Sequence, residues 1–173
     1  MPYPSGADPP PTTCYPRAFT YSRVSFINNE WVKAADGKTF EVINPSDESV
    51  ITSVQEATEK DVDIAVEAAR KAFEGPWRKE TPENRGKYLV NLANLFEKNI
   101  DLLAAVESLD NGKSFSMAKG DIGACVGCLR YYGGWADKIE GKVVDTSPDT
   151  FNYIRKEPVS IGIQSTICRS LRR

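Results

Sequence analysis

Thiols are where any chemistry in this chain has to start, because it holds four cysteines, Cys14, Cys125, Cys128 and Cys168, and no histidine. The missing imidazole removes the commonest general base, the commonest metal ligand and every Cys-His or Ser-His nucleophile pair. Cys125-x-x-Cys128 has the spacing of a redox motif or half a zinc site. A closed zinc site takes about four ligands, however, and Cys14 and Cys168 stand near the two ends of the chain. Both central cysteines also fall on an apolar stripe, so the sequence predicts buried core thiols. Cysteines so spaced do not form a disulfide framework, and nothing at the N-terminus resembles a secretory signal. A reducing, cytoplasmic setting is therefore expected over a mitochondrial one.

Three other clusters invite a functional reading, and each has a plainer one. Gly120-x-x-Gly123-x-x-x-Gly127 is not a G-x-G-x-x-G fingerprint and follows no strand, which leaves close helix packing as the expectation. Arg130 beside Tyr131 and Tyr132, with Trp135 a turn later, has the composition of a base-stacking platform. Lys and Arg total 22 against 24 Asp and Glu, a formal net charge of -2, so no basic field gathers nucleic acid. A packing face with a cation over an aromatic ring is the expectation there instead. Asp110, ahead of Asn111-Gly112, reads as a turn residue that competes for backbone hydrogen bonds. No apolar run reaches the roughly 18 residues of a membrane span, so no membrane partner is expected.

These residues need elements to hold them. Residues 1–22 carry six prolines and suit neither helix nor core, so they read as a disordered leader, with 23–159 as the structured segment and 160–173 as a divergent tail. Phe26 to Val32 places strand formers around Asn28-Asn29, a hairpin signal. Thr39 to Ile43 and Val50 to Val54 form a second antiparallel pair across Asn44-Pro45. Thr58 to Asp61 has capping-box spacing ahead of Val62, Ala65, Val66, Ala69, Ala72 and Phe73, one stripe of a helix that Gly75-Pro76 stops. Thr81-Pro82-Glu83 starts a second helix, with Leu89, Leu92, Leu95 and Phe96 as its buried face. A third carries Ile100, Leu103, Val106 and Leu109, and a fourth begins near Ser114. Lys142 to Val144 and Phe151 to Arg155 then pair across Ser147-Pro148-Asp149. No continuous apolar strand of the kind that builds a parallel sheet is present, so the helices look like the cover of a missing one.

Two runs carry more than local information. They are Glu107-Ser108-Leu109-Asp110-Asn111-Gly112-Lys113 and Cys128-Leu129-Arg130-Tyr131-Tyr132-Gly133-Gly134-Trp135-Ala136-Asp137-Lys138. With Phe26 to Trp31, Ile43-Asn44-Pro45, Asp61 to Phe73, Trp77 and Lys156-Glu157-Pro158-Val159, they resemble in order the N-terminal part of NAD(P)-dependent aldehyde dehydrogenases.

That resemblance implies an α/β fold in which these residues are the outer helices of a Rossmann-like coenzyme domain plus part of a β oligomerisation arm, with the central sheet missing. It implies a parent enzyme that oxidises a small aldehyde to a carboxylic acid with NAD or NADP, as a homodimer or homotetramer. A Cys thiolate would attack the aldehyde, a Glu would activate water, and an Asn with the Cys backbone N–H would stabilise the oxyanion. None of those groups has a counterpart here, so no catalytic or cofactor-binding residue is expected, and the chain is expected to bind no dinucleotide by itself. By resemblance Ala124 lies near the aldehyde tunnel, and Asp110 with the carbonyls of Val42 and Ile43 would hold a monovalent cation. Phe151, Asn152, Tyr153, Ile154 and Arg155 would belong to the subunit-joining arm. The loss of match after Val159 is expected to mark a truncated, mis-spliced or frameshifted product that is inactive alone; a non-catalytic module pairing with full-length subunits is the alternative.

Overall fold

The computed structural model describes residues 24–158. The leader and the tail expected from the sequence therefore lie outside the described residues. Three two-stranded antiparallel hairpins and four α-helices follow one another in the order β1–β4, α1–α4, β5–β6. No strand joins a parallel partner among the described residues, in keeping with helices that surround a sheet built elsewhere.

β1 (Ser25–Ile27) and β2 (Glu30–Val32) are joined by Asn28 and Asn29, both at positive φ, the mirror-image turn whose twist suits a hairpin. β3 (Thr39–Ile43) pairs with β4 (Val50–Gln55), and the ladder shifts register between Val42 and Ile43 as it enters the Asn44-Pro45 loop. α1 (Glu59–Glu74) opens on the expected capping box: the Asp61 carboxylate accepts from Thr58 N at 2.8 Å and Thr58 Oγ1 at 2.7 Å. It also accepts from Ala35 N at 3.0 Å, so one buried side chain fixes both the start of α1 and the loop after β2. A short 3₁₀ turn (Pro76–Lys79) separates α1 from α2 (Pro82–Lys98), where Thr81 Oγ1 accepts from Asn84 N at 3.3 Å.

α2 runs through Asn99 into α3 (Ile100–Asn111), and both pack against α4 (Phe115–Trp135). Arg130 of α4 reaches Asn94 and Glu97 of α2, while Gly133 meets Gly86, so the contacts run in opposite order and the two helices are antiparallel. Lys119 reaches back to Asp101 at 2.6 Å and Lys113 to Glu107 at 2.7 Å, placing α3 along the first half of α4. The buried apolar residues of the described chain are Ala34, Ala93, Ala104, Ala105, Ala118 and Val126, and no large side chain is fully buried. This core is a set of close helix crossings.

Several sequence expectations are corrected at this level. Leu92 and Leu95 are exposed, where a continuous buried face of α2 was expected; only Leu89 and Phe96 are half-buried. Leu92 and Leu95 have no sheet to cover. Gly120, Gly123 and Gly127 do not mediate close packing, since a Cβ added at any of them would meet nothing within 4 Å. The close approach belongs to Gly86 and Gly133. β5 (Lys142–Ser147) and β6 (Thr150–Ile154) form the expected final hairpin, but Arg155 lies beyond the last pair, Lys142 with Ile154.

Candidate functional site

The residues singled out in the sequence fall in three places, the turn between α3 and α4, the outer face of α4 and the β5–β6 hairpin. At the turn, α3 ends on Gly112 at φ 78. That conformation favours glycine, and a Cβ there would also stand 2.8 Å from Pro45 Cγ. The Asn111-Gly112 turn is thereby seated against the loop that follows Val42 and Ile43, which brings the Asp110 end of α3 to the end of β3. Asp110 itself is exposed. Among the described residues, no group of three or more His, Cys, Asp or Glu side chains gathers.

Lys113 locks the turn; the sequence marked it as the last residue of the Glu107–Lys113 run without giving it this role. Its ammonium lies 2.8 Å from Asp121 and 2.7 Å from Glu107, one carboxylate on α4 and one on α3. Hydrogen bonds first to Asp121 and then to Glu107 hold this amine protonated well above the ordinary lysine range. Ser108 Oγ donates to the Lys113 carbonyl at 2.7 Å and closes the same turn from inside. The spacing Glu107, Lys113, Asp121 crosses a helix break, which hides it from any search at helical intervals.

On α4, helical spacing turns Ala118, Ile122, Val126, Leu129 and Gly133 inward. Ala124, Cys125 and Cys128 face out. Both thiols are free and exposed, which corrects the expectation of buried core cysteines: the inward stripe of α4 is occupied by Val126 and Leu129. Ala124, the residue placed near a tunnel, sits on this open side between Gly123 and Cys125.

Arg130 is likewise corrected. Its guanidinium is held by Glu97 Oε2 at 2.6 Å and Asn94 Oδ1 at 3.2 Å, clamping α4 to α2 in place of a cation over an aromatic face. The hydrogen bond from Arg130 in turn draws the Glu97 carboxyl below its usual range. Tyr131 and Tyr132 meet edge-on at 5.2 Å and stay largely exposed, with Trp135 at 6.2 Å from Tyr131. A shallow groove of about 380 Å³ lies between the start of α2 and the end of α4, floored by Gly86, Val90, Gly133 and Gly134.

The arm residues divide by strand alternation. Register pairs Val143 with Tyr153 and Asp145 with Phe151, so these four side chains share one face of the β5–β6 hairpin. Phe151 is 76% exposed and Val143 70%, values that leave this apolar face without cover.

An α/β chain of antiparallel hairpins and outer helices, tied by an Asn-Gly turn, with an uncovered arm hairpin, has the make-up of part of a larger α/β fold. The sequence pattern of the aldehyde dehydrogenase family matches residues 31–168, and the chain belongs to that family. It is 82% identical over 136 residues to an aldehyde dehydrogenase of Davidiella tassiana, covering 79% of this chain and 27% of that one. A mitochondrial aldehyde dehydrogenase of Mesocricetus auratus is 48% identical over 139 residues, 79% of this chain and 28% of the relative. Among solved structures, an NAD+ complex of aldehyde dehydrogenase from Bacillus cereus superposes with a TM-score of 0.75 at 49% identity, covering 77% of this chain and 28% of that one. A betaine aldehyde dehydrogenase of Staphylococcus aureus in complex with NAD+ gives 0.72 at 38% identity, over 75% and 26%. The chain thus spans about 27% of the length of the curated relatives it matches. The match includes residues 160–168, so the family pattern continues beyond Val159.

Proposed function

We propose that this chain is the N-terminal wrapping segment of an NAD(P)-dependent aldehyde dehydrogenase, an enzyme that oxidises a small aldehyde to its carboxylic acid, and that the segment alone is inactive. The observation that carries this reading is the pairing of a family match over residues 31–168 with helices whose apolar faces have nothing to cover. The described residues do not fit a dinucleotide. Gly120, Gly123 and Gly127 lie inside α4, away from any strand-to-helix turn whose backbone N–H groups would cradle a pyrophosphate. The catalytic thiol, the general-base carboxylate and the oxyanion amide belong to parts of the family fold with no counterpart here. What this chain contributes is the Asn-Gly turn, the α2–α4 clamp and the arm hairpin. We further propose a cytoplasmic setting, which the free thiols of Cys125 and Cys128 suit.

The test is the purified chain with acetaldehyde and NAD, followed by absorbance of the reduced coenzyme. No turnover above a Cys125→Ser/Cys128→Ser control is expected; turnover above it overturns the reading. A second role rests on the hairpin: the uncovered face of Val143, Phe151 and Tyr153 suits pairing with a full-length subunit, as an open strand edge invites. Homodimer or homotetramer assembly of the parent enzyme would use the same edge.

A further inference from the structure

Asn111-Gly112 is the one Asn-Gly dipeptide in the sequence, and its chemistry reaches further than the turn it forms. A glycine has no side chain to shield its backbone nitrogen, so that nitrogen is free to attack the carboxamide carbon of the asparagine before it. Every other asparagine of the chain is followed by a residue with a side chain. Asn111 lacks that shield.

Geometry holds the reaction back instead. Attack needs the Gly112 nitrogen to lose its proton and swing toward Asn111 Cγ, which takes the Asn111 backbone out of its helical conformation. Asn111 is the last residue of α3, however, and the Gly112 N–H donates to the Ser108 carbonyl at 2.9 Å. On the far side of the glycine, Ser108 Oγ donates to the Lys113 carbonyl at 2.7 Å. The Lys113 ammonium lies 2.7 Å from Glu107 and 2.8 Å from Asp121, tying the residue after the glycine to α3 and α4 at once. Pro45 backs Gly112 itself, its Cγ 2.8 Å from where a Cβ would stand. The reactive peptide is gripped from the helix, from the turn and from the loop after β3.

We propose that Asn111 is a self-modification site, a succinimide-forming asparagine that the contacts of Ser108 and Lys113 keep latent and that reacts when the turn opens. Gly112 N bonds to Asn111 Cγ, the Cγ–Nδ2 bond breaks, and ammonia leaves with the proton that the peptide nitrogen gives up. Water then opens the ring to aspartate or isoaspartate, so water is the one co-reactant and no electrons change hands. Either product puts a new carboxylate at the C-terminal end of α3, beside Asp110, where the helix dipole disfavours negative charge. Isoaspartate also adds a carbon to the main chain, which displaces Gly112 from Pro45. The change runs one way, so a turn that has once opened stays unfastened.

The full chain is held at mildly alkaline pH, and conversion of Asn111 is followed by peptide mass spectrometry, with released ammonia as a second readout. Conversion under native conditions is expected to be slower than in the same chain in urea. Ser108→Ala and Lys113→Met each remove part of the lock and should speed native conversion roughly two- to tenfold, the weight of one hydrogen bond, while matching the parent chain in urea. Lys119→Met breaks the ion pair to Asp101 between the same two helices but away from the turn, and should leave the rate unchanged. A parent rate equal to that in urea, no acceleration in either lock variant, a difference that persists in urea, or equal acceleration by Lys119→Met overturns the proposal.

Discussion

Gly86 and Gly133 meet backbone to backbone where α2 crosses α4: a Cβ on Gly86 would stand 2.5 Å from the Gly133 carbonyl oxygen. Both residues are buried, and the opposing atom is main chain, which has no rotamer to escape into. The crossing is set by the absence of two side chains.

Gly86→Ala should therefore destabilise the helical unit. The gain in helix propensity of about 1 kcal/mol is outweighed by overpacking that costs about 1–3 kcal/mol. Gly120→Ala and Gly127→Ala enter open space on the same pair of helices and should stabilise by up to about 1 kcal/mol each. Urea midpoints of the helical circular dichroism signal compare the three variants; an unchanged midpoint for Gly86→Ala would show that the crossing tolerates a methyl group.

How much of this could be seen in the sequence depends on whether the cause was local. Asn28-Asn29, the Thr58–Asp61 box, Thr81-Pro82 and Asn111-Gly112 act through their own backbone, and each hairpin, cap and turn stands where its residues put it. Which helix face is inward depends on the partner. Cys125, Leu92 and Leu95 are apolar and correctly spaced, yet they are exposed because the surface they would pack against is not among the described residues. The pairing of Lys113 was hidden for another reason: its partners, Glu107 and Asp121, lie on either side of a break in the helix. The Cys125 and Ala124 surface could have been found only by asking which half of the α4 pattern Gly133 and Val126 already use.

Asp61 makes the start of α1 sensitive to acid. The backbone N–H of Thr58, its hydroxyl and the N–H of Ala35 all donate to the ionised carboxylate and lower its pKa from the usual 3.8. A depressed folded-state pKa gives stability that is present above the unfolded value and is lost as pH falls through the folded one. The loss should therefore fall below about pH 4. Asp61→Asn should flatten this acid limb while weakening the native structure at neutral pH, read by helical signal against pH. Thr58→Ala, which removes the cap, should cost about 0.5–2 kcal/mol.

Lys113 carries the opposite sign. Its pKa is raised by Asp121 and Glu107, so its contribution is complete below the unfolded value of about 10.4 and disappears as pH rises through the higher folded value. Lys113→Met should loosen the α3–α4 turn at neutral pH and remove its dependence on pH above 10. Amide hydrogen exchange at Gly112 and Ser114 would read it; protection equal to that of the parent chain would make the ion pairs ornamental.

The uncovered surface predicts how the isolated chain behaves. With alanines and one valine as the buried apolar set, and with Leu95, Phe151 and Tyr153 in water, each large side chain forgoes roughly 1.5–3 kcal/mol of burial. Several such losses rival the whole stability of a domain, about 5–15 kcal/mol. The chain alone should bind hydrophobic dye and unfold in urea with a shallow slope; a sharp two-state transition with a slope suited to its length would contradict this.

The arm offers the most direct test of assembly. Phe151 and Tyr153 rise from the same face of β6, with ring centroids 6.0 Å apart, and Val143 stands beside Tyr153 across the ladder. A partner surface laid on this face would cover three apolar side chains together, and a partner strand added at the β6 edge would satisfy its open backbone groups. Co-expression with a full-length relative should therefore yield a mixed complex that survives purification. Phe151→Glu/Tyr153→Glu places two carboxylates on that face without touching the β5–β6 hydrogen bonds, so the hairpin persists and the complex should be lost. Asn152→Ala, on the other face, serves as the control and should leave it intact. Equal recovery of both variants would show that subunits meet through a different surface.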